Sequence, residues 1–305
     1  LPLIIFQAFK QFSDGLSLTR YPMYATILAN IINVVLNYMF IFGKFGAPAM
    51  GVVGAAFGTL VSRVVMVIYL WFLLYSKEQS KAFVTHIKLF TLSKKMLSRV
   101  FNLGFPSALQ MFFEVAIFTA AIWLSGVLGK NPQAANQIAL NLSSMTFMVA
   151  MGFGVAAMVR VGNQKGLKRF DELRRIAFSI FLLSTILAVI FAILFFIFHQ
   201  SLPSLYLNYD NPIEALDNLE VASTAATLLL IAAVFQISDT IQVVTLGALR
   251  GMQDVKLPTL ITFVAYWVVG FPVMYYLGLH TSYSSAGIWI GLLAGLTVSG
   301  VLLSW

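Results

Sequence analysis

Apolar residues in this chain run in long blocks and do not alternate with polar ones. Gly, Pro and charge punctuate the blocks, giving spans at 1–18 (incomplete), 21–43, 50–75, 103–129, 133–159, 174–199, 221–249, 258–279 and 286–305. Most reach the roughly 20 residues that carry an α-helix across a bilayer. The pattern predicts an all-α polytopic membrane protein. Pro272, inside "YWVVGFPVMYY", removes a helical hydrogen bond and predicts a bend there.

Strict alternation of sides assigns every connection between spans. One side then holds Lys10, Arg20, the six basic residues between Lys77 and Arg99, the six between Arg160 and Arg175, Arg250 and Lys256. That is 16 of the 19 Lys and Arg residues. The other side holds Lys44, Lys130 and the acidic loop Asp210, Glu214, Asp217 and Glu220, while Arg63 falls inside a span. Positive residues stay on the cytoplasmic face, so this bias orients the chain. The longest connection, 76–102, ends in "KLFTLSKKMLSRVFN", where Leu89, Leu92, Met96, Leu97 and Val100 recur near helical spacing. It reads as an amphipathic interfacial helix between two halves, with a solvated tether as the alternative.

"AFKQFSD" (8–14) aligns with "ALRGMQD" (248–254) at an offset of 240, and "VGAAFG" (53–58) matches "AGIWIG" (286–291) in both glycines. Pro22 and Pro258 open the spans that follow the first pair. Matching segments share a side of the membrane, which makes the repeats parallel, a usual construction of secondary transporters. The predicted architecture is a two-lobe helical bundle transporter whose first lobe is incomplete. Residues 1–75 form the remaining three spans of the N-terminal lobe, 76–102 the cytoplasmic linker and 103–305 a C-terminal six-helix lobe. By the logic of duplication, three helices and about 130–140 residues are expected upstream, so the chain reads as an internal fragment.

Two carboxylates interrupt the second lobe. Glu114 lies 11 residues inside its span from Leu103, and Asp239 lies 11 residues before Arg250. At 1.5 Å per residue both are about 16 Å deep, near the middle of the hydrocarbon. An acid there calls for a cavity, a cation or a proton. Equal depth predicts one shared cation- or proton-binding site, and Na⁺ is one candidate metal. Two protonated acids bonded to neighbouring helices are the plain structural alternative. Gln236 and Gln242 flank Asp239 three residues either way, and Asn136, Gln137 and Asn141 add amides in the neighbouring span. They are expected to build a polar cavity, although amides also serve as interhelical glue.

Composition narrows the function. The chain is 60% hydrophobic and 10% charged, with mean hydropathy +0.89, whereas soluble domains carry about 25% charge. A net charge of +8 would suggest nucleic acid in a soluble protein; here topology accounts for it, and no nucleic-acid partner is expected. There is no cysteine, and His86, His199 and His280 show no ligand spacing. No nucleophile–base pair or metal-ligand set supports an enzyme.

"SDGLSLTRYPM", "NVVLNYMFIFGKFGAPAMGVVGAA", "LGFPSALQMFFEVAIF", "AANQIALNLSSMTFM" and "FQISDTIQVVTLGALRGMQD" resemble successive blocks of the MATE (multidrug and toxic compound extrusion) transporters, NorM-like branch. The resemblance covers essentially the whole chain. It implies a monomeric, multi-pass protein of the plasma (inner) membrane that exports cationic lipophilic compounds in exchange for Na⁺ or H⁺, without a cofactor. It places Glu114 and Asp239 in the second-lobe cation site. Two positions depart from the pattern: Phe235 stands where such transporters often carry tyrosine, and Asn136 where they carry histidine. Both bear on ion choice. A lipid-linked oligosaccharide flippase of the same superfamily is the alternative, but it needs a cation-rich cavity for diphosphate.

Overall fold

A computed structural model of the chain describes residues 1–76, 93–207 and 215–305. These residues fall into two compact units, Leu1–Leu92 and Ser93–Trp305. Eight of the helices are long and apolar enough to cross a membrane. The protein is an all-α multi-pass membrane protein.

The first unit contains α1 (Pro2–Gly15), α2 (Arg20–Phe42) and α3 (Val52–Ser76). Helix α2 ends at Gly43, whose left-handed φ of 65° lets the next N–H, that of Lys44, return to Met39 O at 3.1 Å, an ending glycine accepts without a Cβ penalty. Helices α2 and α3 then pack closely. A Cβ added at Gly54 would lie 2.5 Å from Phe40 O, and one at Gly58 2.6 Å from Asn37 Oδ1. Asn33 Nδ2 donates to Thr59 Oγ1 at 3.3 Å, and Asn37 Nδ2 donates to Asn33 Oδ1 at 3.3 Å. Small residues with amide and hydroxyl bridges are how helices associate in lipid, where burial of apolar surface gives no drive.

The second unit contains α4 (Lys94–Leu128), α5 (Lys130–Gly166), α6 (Phe170–Phe198), the single 3₁₀ turn Pro203–Leu205, α7 (Ala215–Gly251), α8 (Lys256–Leu279) and α9 (Ser284–Ser304). Helix α7 is the centre, packed against α5, α6 and α9. Helix α6 turns Phe178, Leu183, Ile186, Ile193 and Ile197 outward. An exposed apolar face of that length suits lipid.

Three boundaries differ from the sequence expectation. Residues 88–92 of the expected interfacial helix lie outside the described residues, and its remainder forms the first turns of α4. Neither Gly nor Pro occurs between Lys94 and Asn102, so nothing separates the basic segment from the span that follows. Asp217 and Glu220 belong to α7 and not to a loop; acidic side chains favour a helix N-terminus. Asp210 and Glu214 lie outside the described residues. At Pro272 the bend takes the form of a π-helical stretch, Val264–Gly270, just before the proline. Widening the turn relieves the clash of the pyrrolidine ring with the carbonyl four residues earlier.

The sequence repeat has a packing counterpart. In α9 a Cβ at Gly287 would lie 2.4 Å from Leu277 O, and one at Gly291 2.4 Å from Met274 Cα. These glycines do for the α8–α9 hairpin what Gly54 and Gly58 do for α2–α3.

Candidate functional site

Helical periodicity builds the site from three stripes. Met111, Glu114, Val115, Phe118 and Ile122 recur every three or four residues on α4, and Gln137, Leu140, Asn141, Ser144, Phe147 and Met151 do so on α5. Phe235, Asp239, Val243, Leu246 and Arg250 form the third stripe on α7. Residues so spaced share a helix face. Together they line an open cavity of about 450 Å³ in the second unit, within the size range of drug-binding pockets.

Its walls are aromatic and sulfur-bearing, with Phe118, Phe147, Phe235, Met111 and Met151, while its polar groups are few. Glu114 and Asp239 lie close enough to repel each other, and Glu114 is attracted by Arg250. Asp239 is buried, and its Oδ1 has no hydrogen-bond partner among the described residues. A buried carboxylate oxygen left in that state calls for a proton, a water or a cation. Among the described residues no three His, Asp or Glu side chains cluster for a metal ion. A Na⁺ here would draw on the two carboxylates, the amides of Gln137 and Asn141, and water.

Five of the seven residues predicted for the site, Glu114, Asp239, Gln137, Asn141 and Phe235, line this cavity, and two do not. Asn136 is buried and accepts a hydrogen bond from Trp289 Nε1 at 2.9 Å. It precedes Gln137 by one residue, about 100° around the helix, which turns it toward α9. Gln236 lines a separate small pocket with Thr146, Ser184 and Thr240. Gln242 is fully buried and accepts from the Tyr266 hydroxyl at 2.7 Å. Three residues either way from Asp239 is about 60° to either side, so these glutamines flank the cavity face without sharing it.

Arg250 and the paired Ser143 and Ser144 are cavity residues that sequence reasoning missed. The charge pattern reads Arg250 as a cytoplasmic helix end. The signal was present: 11 residues is three helical turns, so Arg250 falls on the face of Asp239 within about 20°. Arg63, which the apolar pattern places inside a span, sits midway along α3 with Nη1 4.0 Å from Met66 Sδ. Among the described residues it pairs with no carboxylate.

The comparisons agree with this architecture. A multidrug resistance protein NorM from Aliivibrio fischeri is 37% identical over 309 residues, covering 99% of this chain and 64% of the relative. A multidrug resistance protein MdtK from Proteus mirabilis is 34% identical over 305 residues, covering 98% and 65%. The chain thus spans somewhat under two thirds of the length of these relatives. Among solved structures, the eukaryotic MATE transporter AtDTX14 matches with TM-score 0.81 at 23% identity, over 98% of this chain and 64% of that one. A MATE structure in complex with MaL6 matches with TM-score 0.85 at 19% identity, over 99% and 65%. Those two likenesses establish the fold. The family model MatE matches residues 106–276, a range that includes every residue lining the cavity. With that match and relatives aligned along nearly its whole length, the chain belongs to the MatE family.

Proposed function

We propose that the protein is a secondary active multidrug efflux transporter of the plasma membrane, a monomer that exports cationic lipophilic compounds in exchange for Na⁺ or H⁺. One observation carries the reading: two mid-span carboxylates share a cavity of about 450 Å³ walled by Phe and Met. Apolar, adaptable walls accept varied lipophilic bodies, and acids set among them select positive charge. The relatives named for multidrug resistance support the same reading. Ion and substrate would use the acids alternately as the protein passes between outward- and inward-facing states. A diphosphate-bearing lipid fits less well, because the cavity sets a single guanidinium against two carboxylates.

The test is ethidium efflux from cells expressing the complete protein. Glu114→Gln and Asp239→Asn each abolish efflux while the protein still reaches the membrane. Normal drug resistance in both variants sinks the shared-site reading.

A further inference from the structure

We infer that Arg250 is a resident cation of this cavity and limits it to one bound positive charge at a time. The inference rests on the reading of the cavity as the cation site. The charged side chains that line it are Glu114, Asp239 and Arg250. With both acids ionised they sum to one negative charge. Between apolar walls an uncompensated charge is disfavoured. One Na⁺, one proton or one monovalent drug restores neutrality, and a second cation overshoots it. Without Arg250 the same cavity would carry two negative charges and could hold ion and drug together. Antiport requires that it does not.

The guanidinium is held in place by a relay of hydrogen bonds. Arg250 Nη2 donates to Gln110 Oε1 at 3.1 Å, and Gln110 Nε2 donates to Thr262 Oγ1 at 3.3 Å. Thr262 Oγ1 in turn donates to Pro258 O at 2.8 Å. Gln110 and Thr262 are fully buried, so the relay runs from α7 through α4 to α8 without solvent. Gln110 precedes Glu114 by one turn, so the guanidinium's hydrogen-bond partner stands about 6 Å along the α4 backbone from that residue. Arg250 Nε is buried and has no hydrogen-bond partner among the described residues. A charge needed only to anchor a helix end would lie outside the cavity and be hydrated; this one is inside, and only part of it is bonded.

The experiment is ethidium binding, followed by fluorescence, to the purified complete protein in nanodiscs across Na⁺ concentration and pH. In the wild type, raising Na⁺ or H⁺ displaces ethidium. In Arg250→Gln ethidium binds more tightly and the competing cation no longer displaces it, whereas Arg250→Lys keeps the charge and behaves as wild type. Glu114→Gln weakens ethidium binding by about tenfold or more, and Glu114→Gln combined with Arg250→Gln recovers most of that loss. The double variant restores the single negative charge, so it remains informative should Arg250→Gln alone fail to fold. Unchanged competition in Arg250→Gln, no recovery in the double variant, or relief of competition in Arg250→Lys overturns the inference. In each of those results the loss in Glu114→Gln still upholds the cation site. Wild-type ethidium binding in Glu114→Gln instead overturns the functional reading on which the inference rests.

Discussion

Trp289 Nε1 donates to Asn136 Oδ1 at 2.9 Å across the α9–α5 contact, with both side chains buried. Asn136 therefore belongs to the core beside the cavity. The indole also meets Phe235 edge-on, with ring centroids 5.3 Å apart, and Phe235 meets Phe118 in the same manner at 6.1 Å. Trp289 thus backs the aromatic wall that the cavity presents. Asn136→Ala strands a buried indole N–H, which lowers stability by about 1–3 kcal/mol. Thermal unfolding in detergent should record that loss, while the folded fraction continues to export ethidium. Loss of export at unchanged stability would return Asn136 to the cation site.

The α5–α7 contact makes a second, purely steric prediction. A Cβ at Gly247 would lie 2.2 Å from Gly154 O, and one at Gly251 2.5 Å from Met158 O. Backbone cannot retreat as a flexible side chain can. Gly247→Ala should therefore destabilise the second unit by about 1–3 kcal/mol. Gly152 lies in the same helix as Gly154, and its added Cβ would meet nothing within 4 Å. Gly152→Ala should be neutral or slightly stabilising, since alanine has less chain entropy to lose. Equal melting temperatures for the two variants would refute the close crossing.

What the sequence made legible, and what it did not, follows from helical geometry. Long apolar blocks place helices well because lipid demands satisfied backbone along a whole span. Equal depth points to Glu114 and Asp239 together, and both line one cavity, but depth says nothing of azimuth. That is why Asn136 and Gln236, expected in the cavity, lie outside it, and why Arg250, expected at a helix end, lies within it. Its apparent boundary was the charge itself, although α7 continues to Gly251. The glycine seam was hidden for another reason: glycine is common in membrane helices. Only the partner backbone reveals which glycines are required.

Orientation is testable on α4 alone. The helix runs 35 residues, from Lys94 to Leu128, about 52 Å at 1.5 Å per residue. It overhangs a ~30 Å hydrocarbon core, so its ends lie in opposite aqueous layers. Lys130, whose side chain is 85% exposed, pairs with Asp217 at 3.7 Å just past one end; Lys95 marks the other. The chain has no native cysteine. In the complete protein, Lys130→Cys should react with an impermeant maleimide added outside intact cells, and Lys95→Cys should react only after lysis. Reaction of both from one side would overturn the topology drawn from the distribution of basic residues.

The proposed ion coupling can be tested at Phe235. It stands one turn before Asp239 and lines the same cavity, so a hydroxyl at this position would add a neutral oxygen beside the two carboxylates. Na⁺ prefers several oxygen ligands, while a proton needs only one acceptor. Two acids that repel each other are well suited to sharing a proton. Phenylalanine should therefore leave transport only weakly dependent on Na⁺, and Phe235→Tyr should strengthen that dependence. The ring already packs edge-on against Trp289 and Phe118, so the added oxygen has little apolar volume to displace on the cavity side. Ethidium efflux measured against imposed Na⁺ gradients at fixed pH reads the effect directly. A steep Na⁺ dependence in the wild type, unchanged in Phe235→Tyr, would show that the missing hydroxyl does not decide the ion.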